Sequence, residues 1–115
     1  MIYALNLFTM TGEEDYRDYN LKAGRIIYGL GGKVVVSGWK PVRYMSDDGR
    51  RRSCFIVVEF PDEAAFDEFY RKAGETGLHG QREGSTADYI WTLCEPWDLK
   101  QWVREKPGRD QKSPG

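Results

Sequence analysis

The chain carries a single imidazole, His79, in the glycine-flanked stretch Gly77-Leu78-His79-Gly80, with Arg82 close behind it. A reaction needing a general base near neutral pH would turn first to that imidazole. Loop residues often carry function, but an exposed loop histidine with no such role fits the same pattern. Arg82 offers a guanidinium fork that suits a carboxylate, an enolate or a phenolate. Its alternative use is an ion pair to Glu59 or Asp88 that pins the loop. Asn6 is the one strongly polar residue in the apolar run Ile2 to Thr9. A buried amide without hydrogen bonds costs ~1–3 kcal/mol. Asn6 therefore either satisfies neighbouring backbone or points into a polar pocket, and Ala4 on the same side leaves room for one. Tyr16, Tyr19 and Tyr28 are either core residues with satisfied hydroxyls or ligand contacts. Trp39 and Trp91 either wall a site for an aromatic ligand or pack a core or interface. The candidate catalytic residues are thus His79, Arg82 and Tyr19, and the candidate ligand contacts are Asn6, Tyr16, Trp39, Glu59 and Trp91.

Composition narrows the chemistry. The 115 residues hold 40% hydrophobic and 30% charged side chains, the balance of one globular domain. A formal net charge of −1 lacks the basic excess that a nucleic-acid phosphate track needs. The one dense basic run, Arg50-Arg51-Arg52, follows Asp47-Asp48-Gly49 and reads as a self-compensating turn. Cys54 and Cys94 match no metal or redox spacing and read as reduced core residues. There is no nucleophile elbow, no Gly-x-Gly-x-x-Gly after a strand and no Cys/His metal pattern, so no cofactor and no metal is expected. The N-terminus starts in a strand pattern, and no apolar run approaches the ~20 residues of a membrane span. The expectation is a cytoplasmic protein without nucleic-acid or membrane partners.

The elements that must position these residues are legible in sequence. Ile2–Thr9 reads as a first strand, and Thr11-Gly12-Glu13-Glu14 as a capping box opening a helix. In that helix Tyr16, Tyr19, Ala23, Ile26, Ile27 and Leu30 recur at helical spacing, and Gly31-Gly32 stops it. Lys33 to Met45 reads as a long second strand, interrupted at Gly38 and Pro41 as by a bulge or at an edge. Ser46-Asp47-Asp48-Gly49 is a hairpin turn signal, and Cys54 to Phe60 a third strand. Asp62 is the expected N-cap of a second helix striped by Phe66, Phe69, Tyr70 and Ala73 and ended by Gly74. Residues 74–88 read as irregular and Tyr89–Cys94 as a fourth strand. A short helix from Asp98 carries Leu99, Trp102 and Val103 on one side. The domain is expected over residues 1–95, a helical extension over 96–106 and a disordered tail over 107–115.

The order β-α-β-β-α-β is that of a ferredoxin-like α+β fold, an antiparallel four-stranded sheet with helices on one face. Here the strands are apolar at both parities. Ile2, Ala4 and Phe8 alternate with Tyr3, Leu5 and Leu7, whereas a sheet with one wet face would show polar alternation. Pairing sheet on sheet with a second copy covers the free face, and two-fold dimers are the commonest closed assembly.

Tyr16 and Tyr19, the Gly31-Gly32 stop, Glu59-Phe60-Pro61, Phe69-Tyr70-Arg71, Leu78 with Arg82, and Ala87-Asp88 stand in an order that resembles an uncharacterised bacterial family of the dimeric α+β-barrel superfamily. The resemblance covers residues 1–95 and implies a barrel-forming homodimer. The wider superfamily includes cofactor-free monooxygenases, isomerases, polyketide cyclases and haem-binding enzymes. By that analogy His79 could also be a haem ligand, although it lacks a ligand pattern. Two features depart from the family: the segment with Trp97 and Trp102 beyond Cys94, and Phe69 where members often carry tryptophan. The functional expectation is a small-molecule-binding protein. It is either a cofactor-independent enzyme acting on an aromatic or enolisable substrate through Arg82, Asn6 and His79 or Tyr19, or a non-catalytic carrier or protein-interaction module.

Overall fold

Alternation along the first strand decides the architecture. In the computed structural model, which describes residues 1–105, β1 (Ile2–Met10) turns Ala4, Asn6 and Phe8 to one side, where all three are buried. The other strands are β2 (Lys33–Trp39), β3 (Cys54–Phe60) and β4 (Thr86–Cys94). They form one antiparallel sheet in the order β2-β3-β1-β4. The long helices α1 (Glu13–Gly29) and α2 (Glu63–Glu75) and the short α3 (Leu78–Gly84) contribute the rest of the core, and α4 (Leu99–Glu105) follows β4. This is the expected ferredoxin-like arrangement. The core is one cluster in which Phe8, Phe60 and Phe69 pack against Tyr16, Tyr19 and Ala23.

The open face carries Tyr3, Leu5 and Leu7 on β1, opposite Glu59, Val57 and Phe55 on β3 and Cys94, Thr92 and Ile90 on β4. It is apolar at its centre. Both edge strands depart from a regular ladder. In β2 an extra residue, Val35, lies between the pairs Val34–Val58 and Val36–Val57. In β4 two residues, Asp88 and Tyr89, stand opposite Phe8 alone, and Asp88 takes a left-handed φ of 53°.

Several boundaries differ from the sequence reading. Thr11 and Glu14 form no capping box: Gly12 is the N-cap and no side chain caps α1. The N–H groups of Thr11 and Gly12 both donate to the Ser85 carbonyl instead, at 2.9 and 3.2 Å. This ties the start of α1 to the end of α3. β2 stops at Trp39, not Met45, because Lys40 turns the chain with a left-handed φ of 61° and Pro41 has no N–H to continue a ladder. The Asp47-Asp48-Gly49 turn forms, with both carboxylates accepting backbone N–H groups, but inside a long loop and not a tight hairpin. The run expected to be irregular contains α3, and β4 begins at Thr86. α2 runs just past Gly74 to Glu75. Cys54 is buried as expected, but Cys94 is exposed because its parity puts it on the open face.

Other readings hold. Gly31, at φ 86°, lets the chain leave α1 while the Gly32 N–H returns to the Ile27 carbonyl. Arg51 and Arg52 pair with Asp47 and Asp48. α4 follows Asp98, whose carboxylate accepts the Gln101 N–H. The tail expected from residue 107 lies outside the described residues.

Asp62 caps α2 by accepting the Ala65 N–H at 2.8 Å. Asp62→Ala should therefore lower unfolding free energy by about 1 kcal/mol. Thr11→Ala, which removes a hydroxyl with no capping bond, should change it by less than about 0.5 kcal/mol. Urea melts at one fixed protein concentration would separate the two.

Candidate functional site

Small side chains make the space. Ala4 at the centre of the sheet and Ala23 on the inner face of α1 leave a gap that larger residues would fill. A cavity of about 180 Å³ lies there, between sheet and helices. Its apolar wall includes Val58, Phe60 and Phe69, and its polar groups include Asn6, Tyr16, Tyr19 and Tyr89. Along the flank of α1 it borders a more open groove of about 370 Å³, which reaches Ser37 and Trp39. Tyr16, Asn20 and Ile56 line both spaces. A concave, mostly apolar space with a few convergent polar groups is the usual form of a small-molecule site.

The polar floor is a short relay. The Asn6 Nδ2 donates to the Ile56 carbonyl at 3.2 Å and to the Ala4 carbonyl at 3.3 Å. Its Oδ1 accepts the Tyr89 hydroxyl at 2.6 Å. The amide is thereby fixed with its oxygen toward the only one of these groups that can donate. Burial is the main cause that pushes the Tyr16, Tyr19 and Tyr89 hydroxyls above their ordinary value, and neighbouring tyrosines add to it for Tyr16 and Tyr89. The Arg82 charge pulls the same three back. Desolvation wins, so the cavity presents neutral O–H groups and not phenolates.

Arg82 lies at the α3 end of this wall. Leu78 and Arg82 share the inward face of α3, and Arg82 is only 6% exposed. α3 is held against α1 by Gln81, whose amide donates to the Asp18 carboxylate and the Asp15 carbonyl. The guanidinium carbon sits 4.9 Å from the Tyr89 ring centre and 4.7 Å from that of Trp91. Among the described residues its nearest carboxylate is Glu83 at 3.8 Å, on a side chain that is largely in solvent. Neither Glu59 nor Asp88 pairs with it: Asp88 holds Arg50 at 2.6 Å, and its carbonyl accepts the Arg52 Nε at 2.7 Å. Among the described residues, the buried Arg82 Nε and the buried Trp91 Nε1 have no hydrogen-bond partner.

The structure thus brings together Asn6, Tyr16, Tyr19 and Trp91 around one cavity, with Arg82 touching its aromatic wall without lining it. It separates the others. Trp39, about half exposed, lines the neighbouring groove. Glu59 falls on the open face of the sheet, opposite Tyr3 and Lys33. His79 does not line the cavity; its ring lies 4.2 Å from that of Tyr70, and its Nε2 donates to the Tyr70 carbonyl at 2.9 Å. Tyr89 is the residue that sequence reasoning missed. The available signal was parity, because Tyr89 precedes Trp91 on the same face of β4, and Trp91 stands directly opposite Asn6. Among the described residues, no group of three or more His, Cys, Asp or Glu side chains could hold a metal ion, and no helix is long and apolar enough to cross a membrane.

Element order, sheet order and helices on one face define a ferredoxin-like α+β protein. The chain belongs to the family described as Domain of unknown function (DUF1330), matched over residues 1–91, which bears out the resemblance read from its sequence. It is similar to the crystal structure of the RPA0582 protein of unknown function from Rhodopseudomonas palustris, at 25% identity and a TM-score of 0.73, covering 84% of this chain and 82% of that one. It also shares its fold with SnoaB, a cofactor-independent oxygenase from Streptomyces nogalater, at 14% identity and a TM-score of 0.57 over 84% and 93% of the two chains. A dimeric ferredoxin-like protein of unknown function from Jannaschia sp. CCS1 matches at 19% identity and a TM-score of 0.53 over 83% and 98%. No curated protein matches the sequence.

Raised hydroxyls have a signed consequence. The folded chain keeps protons that the unfolded chain gives up near its ordinary value of 10.0, so their contribution is intact below that pH and is lost as pH rises above it. At alkaline pH the 295 nm absorbance of the folded protein should fall short of that of seven ionised tyrosines until the chain unfolds. Tyr89→Phe, which leaves the Asn6 Oδ1 without its donor, should lower stability by about 1–3 kcal/mol in a denaturant melt.

Proposed function

We propose that this protein binds a small organic molecule in the cavity between sheet and helices, and that it does so as a homodimer paired through its open sheet faces. The observation that carries the reading is the cavity's composition: apolar and aromatic walls around the Asn6–Tyr89 floor, with the neutral Tyr16 and Tyr19 hydroxyls beside it. Such a site suits a ligand with a flat apolar body and one or more oxygen acceptors. The same donors could hold an oxyanion developing on a bound substrate. SnoaB, which shares the fold, is a cofactor-independent oxygenase, and this supports reading the cavity as a place where conversion without a cofactor can occur. With the tyrosines held neutral and His79 outside the cavity lining, the cavity offers donors rather than a base. That supports binding or carriage ahead of base-initiated conversion.

Dimerisation is supported by the open face, where Tyr3, Leu5, Leu7, Phe55, Val57 and Ile90 would otherwise meet water. The dimeric ferredoxin-like neighbour offers a precedent for the assembly. Leu5 and Val57 face each other across β1 and β3. The double variant Leu5→Lys, Val57→Lys should sediment as a monomer of 13.3 kDa with its circular dichroism intact. A dimer of unchanged affinity would show that the copies meet elsewhere.

Ligand binding is tested by filling the gap. A panel of small aromatic and enolisable compounds, screened by thermal shift and native mass spectrometry, should contain a binder. At roughly 100-fold over its Kd it would stabilise the protein by about 2.7 kcal/mol. Ala23→Leu, which places a larger side chain in the cavity, should abolish that shift while the protein stays folded. Equal binding by this variant would put the ligand outside the cavity. Incubating the binder aerobically without added cofactor, and looking for product, separates carriage from conversion.

A further inference from the structure

We infer that Arg82 and Trp91 form an anion-recognising site at the α3 end of the cavity's aromatic wall, so that the ligand carries a carboxylate or an equivalent oxyanion on an aromatic or apolar body. The inference rests on the cavity reading above and names the ligand class. Its basis is an unfinished arrangement of charge. A guanidinium can donate five hydrogen bonds and does not shed its proton. Arg82 is almost wholly removed from solvent. Yet among the described residues its Nε has no acceptor, and the one carboxylate near the guanidinium is 3.8 Å away on a solvated side chain. A charge taken out of water is ordinarily paired and hydrogen-bonded.

The π faces of Tyr89 and Trp91 lie against the guanidinium carbon at 4.9 and 4.7 Å and offset part of that loss, but they accept none of its hydrogen bonds in plane. A second buried donor without a partner belongs to the same cluster, the Trp91 Nε1. Other nearby carboxylates are already engaged: Asp88 by Arg50, and Asp18 by Lys22 and Gln81. The missing component is therefore an acceptor, which an anionic oxygen would supply while neutralising the charge. Tyr89 and Trp91 also line the cavity, so a ligand with its ring there would have its anionic group at the α3 end.

The test uses benzoate and its neutral ester, methyl benzoate, on the full-length protein at constant ionic strength with chloride as the control anion. Benzoate should raise the melting temperature saturably, and chloride should not. Arg82→Met should melt no lower than the wild type without ligand, because it removes a buried charge lacking a partner, and should bind benzoate at least tenfold more weakly. Methyl benzoate should bind both proteins alike. Trp91→Phe, which keeps a ring but loses the N–H, should also weaken benzoate several-fold; it carries the test if Arg82→Met fails to fold. If methyl benzoate binds and benzoate does no more than chloride, the anion site is wrong while the cavity reading survives. If Arg82→Met melts lower and binds benzoate as well as the wild type, the guanidinium is structural and the inference falls. If neither compound nor any other small molecule binds, both readings fall together.

Discussion

The molecule depends on β1 being paired on both sides. Its hydrogen-bond ladders to β3 and β4 fix one register across the centre of the sheet, and that register sets Asn6 between Ile56 and Trp91. From this follow the amide's donation to the Ile56 carbonyl and the approach of Tyr89 to its oxygen. A slip by one residue on either side would turn a whole set of side chains to the other face. The cavity is thus held by backbone pairing, and α1 and α2 close it from above. Short residues at Ala4 and Ala23, facing each other across the layers, keep it open.

Polar groups inside such a space are held to a stricter standard than those outside. Asn6 meets it through two carbonyls and a hydroxyl. Ser85, wholly buried at the end of α3, meets it by donating to the Gln81 carbonyl and accepting two N–H groups from the start of α1. These satisfied groups give α3 a fixed seat. Arg82 is presented from that seat, one of the few places where the accounting of donors and acceptors does not close. Many of the other charged residues form ordinary surface pairs, such as Arg17 with Glu13 and Lys22 with Asp18, each worth little individually.

Much of this was legible in the sequence, for physical reasons that differ by element. α1 announces itself because an apolar stripe and a double-glycine stop are local signals. The two-faced apolar strands are likewise visible without knowing their partners. Asn6 stands out because a single amide in an apolar strand needs an explanation. α3 was hidden because Gly77, Gly80 and Gly84 give it poor intrinsic propensity, and its stability comes from Leu78, Arg82 and Ser85 being buried against the rest of the core. The early end of β2 and the uncapped start of α1 depend on partners remote in sequence, Ser85 above all, and no local pattern reports them. Tyr89 and His79 illustrate the limit for site residues. Parity with Trp91 was the one local signal for Tyr89, and where the His79 ring lies depends on how α3 docks, which is a tertiary fact.

The irregularity in β4 has a meaning of its own. Asp88 and Tyr89 together oppose Phe8, so the strand holds one residue more than its ladder uses. The chain on either side of Asp88 would keep its facing if that residue were absent: Thr86 would still point to the helices, and Tyr89 and Trp91 would still line the cavity. Most positions within a strand lack this property, because losing a residue there exchanges inside for outside. Asp88 is spare length, and the left-handed turn that stores it directs a carboxylate and a carbonyl sideways to Arg50 and Arg52. The long loop between β2 and β3 is thereby moored to the far edge of the sheet by a residue that the sheet itself could do without.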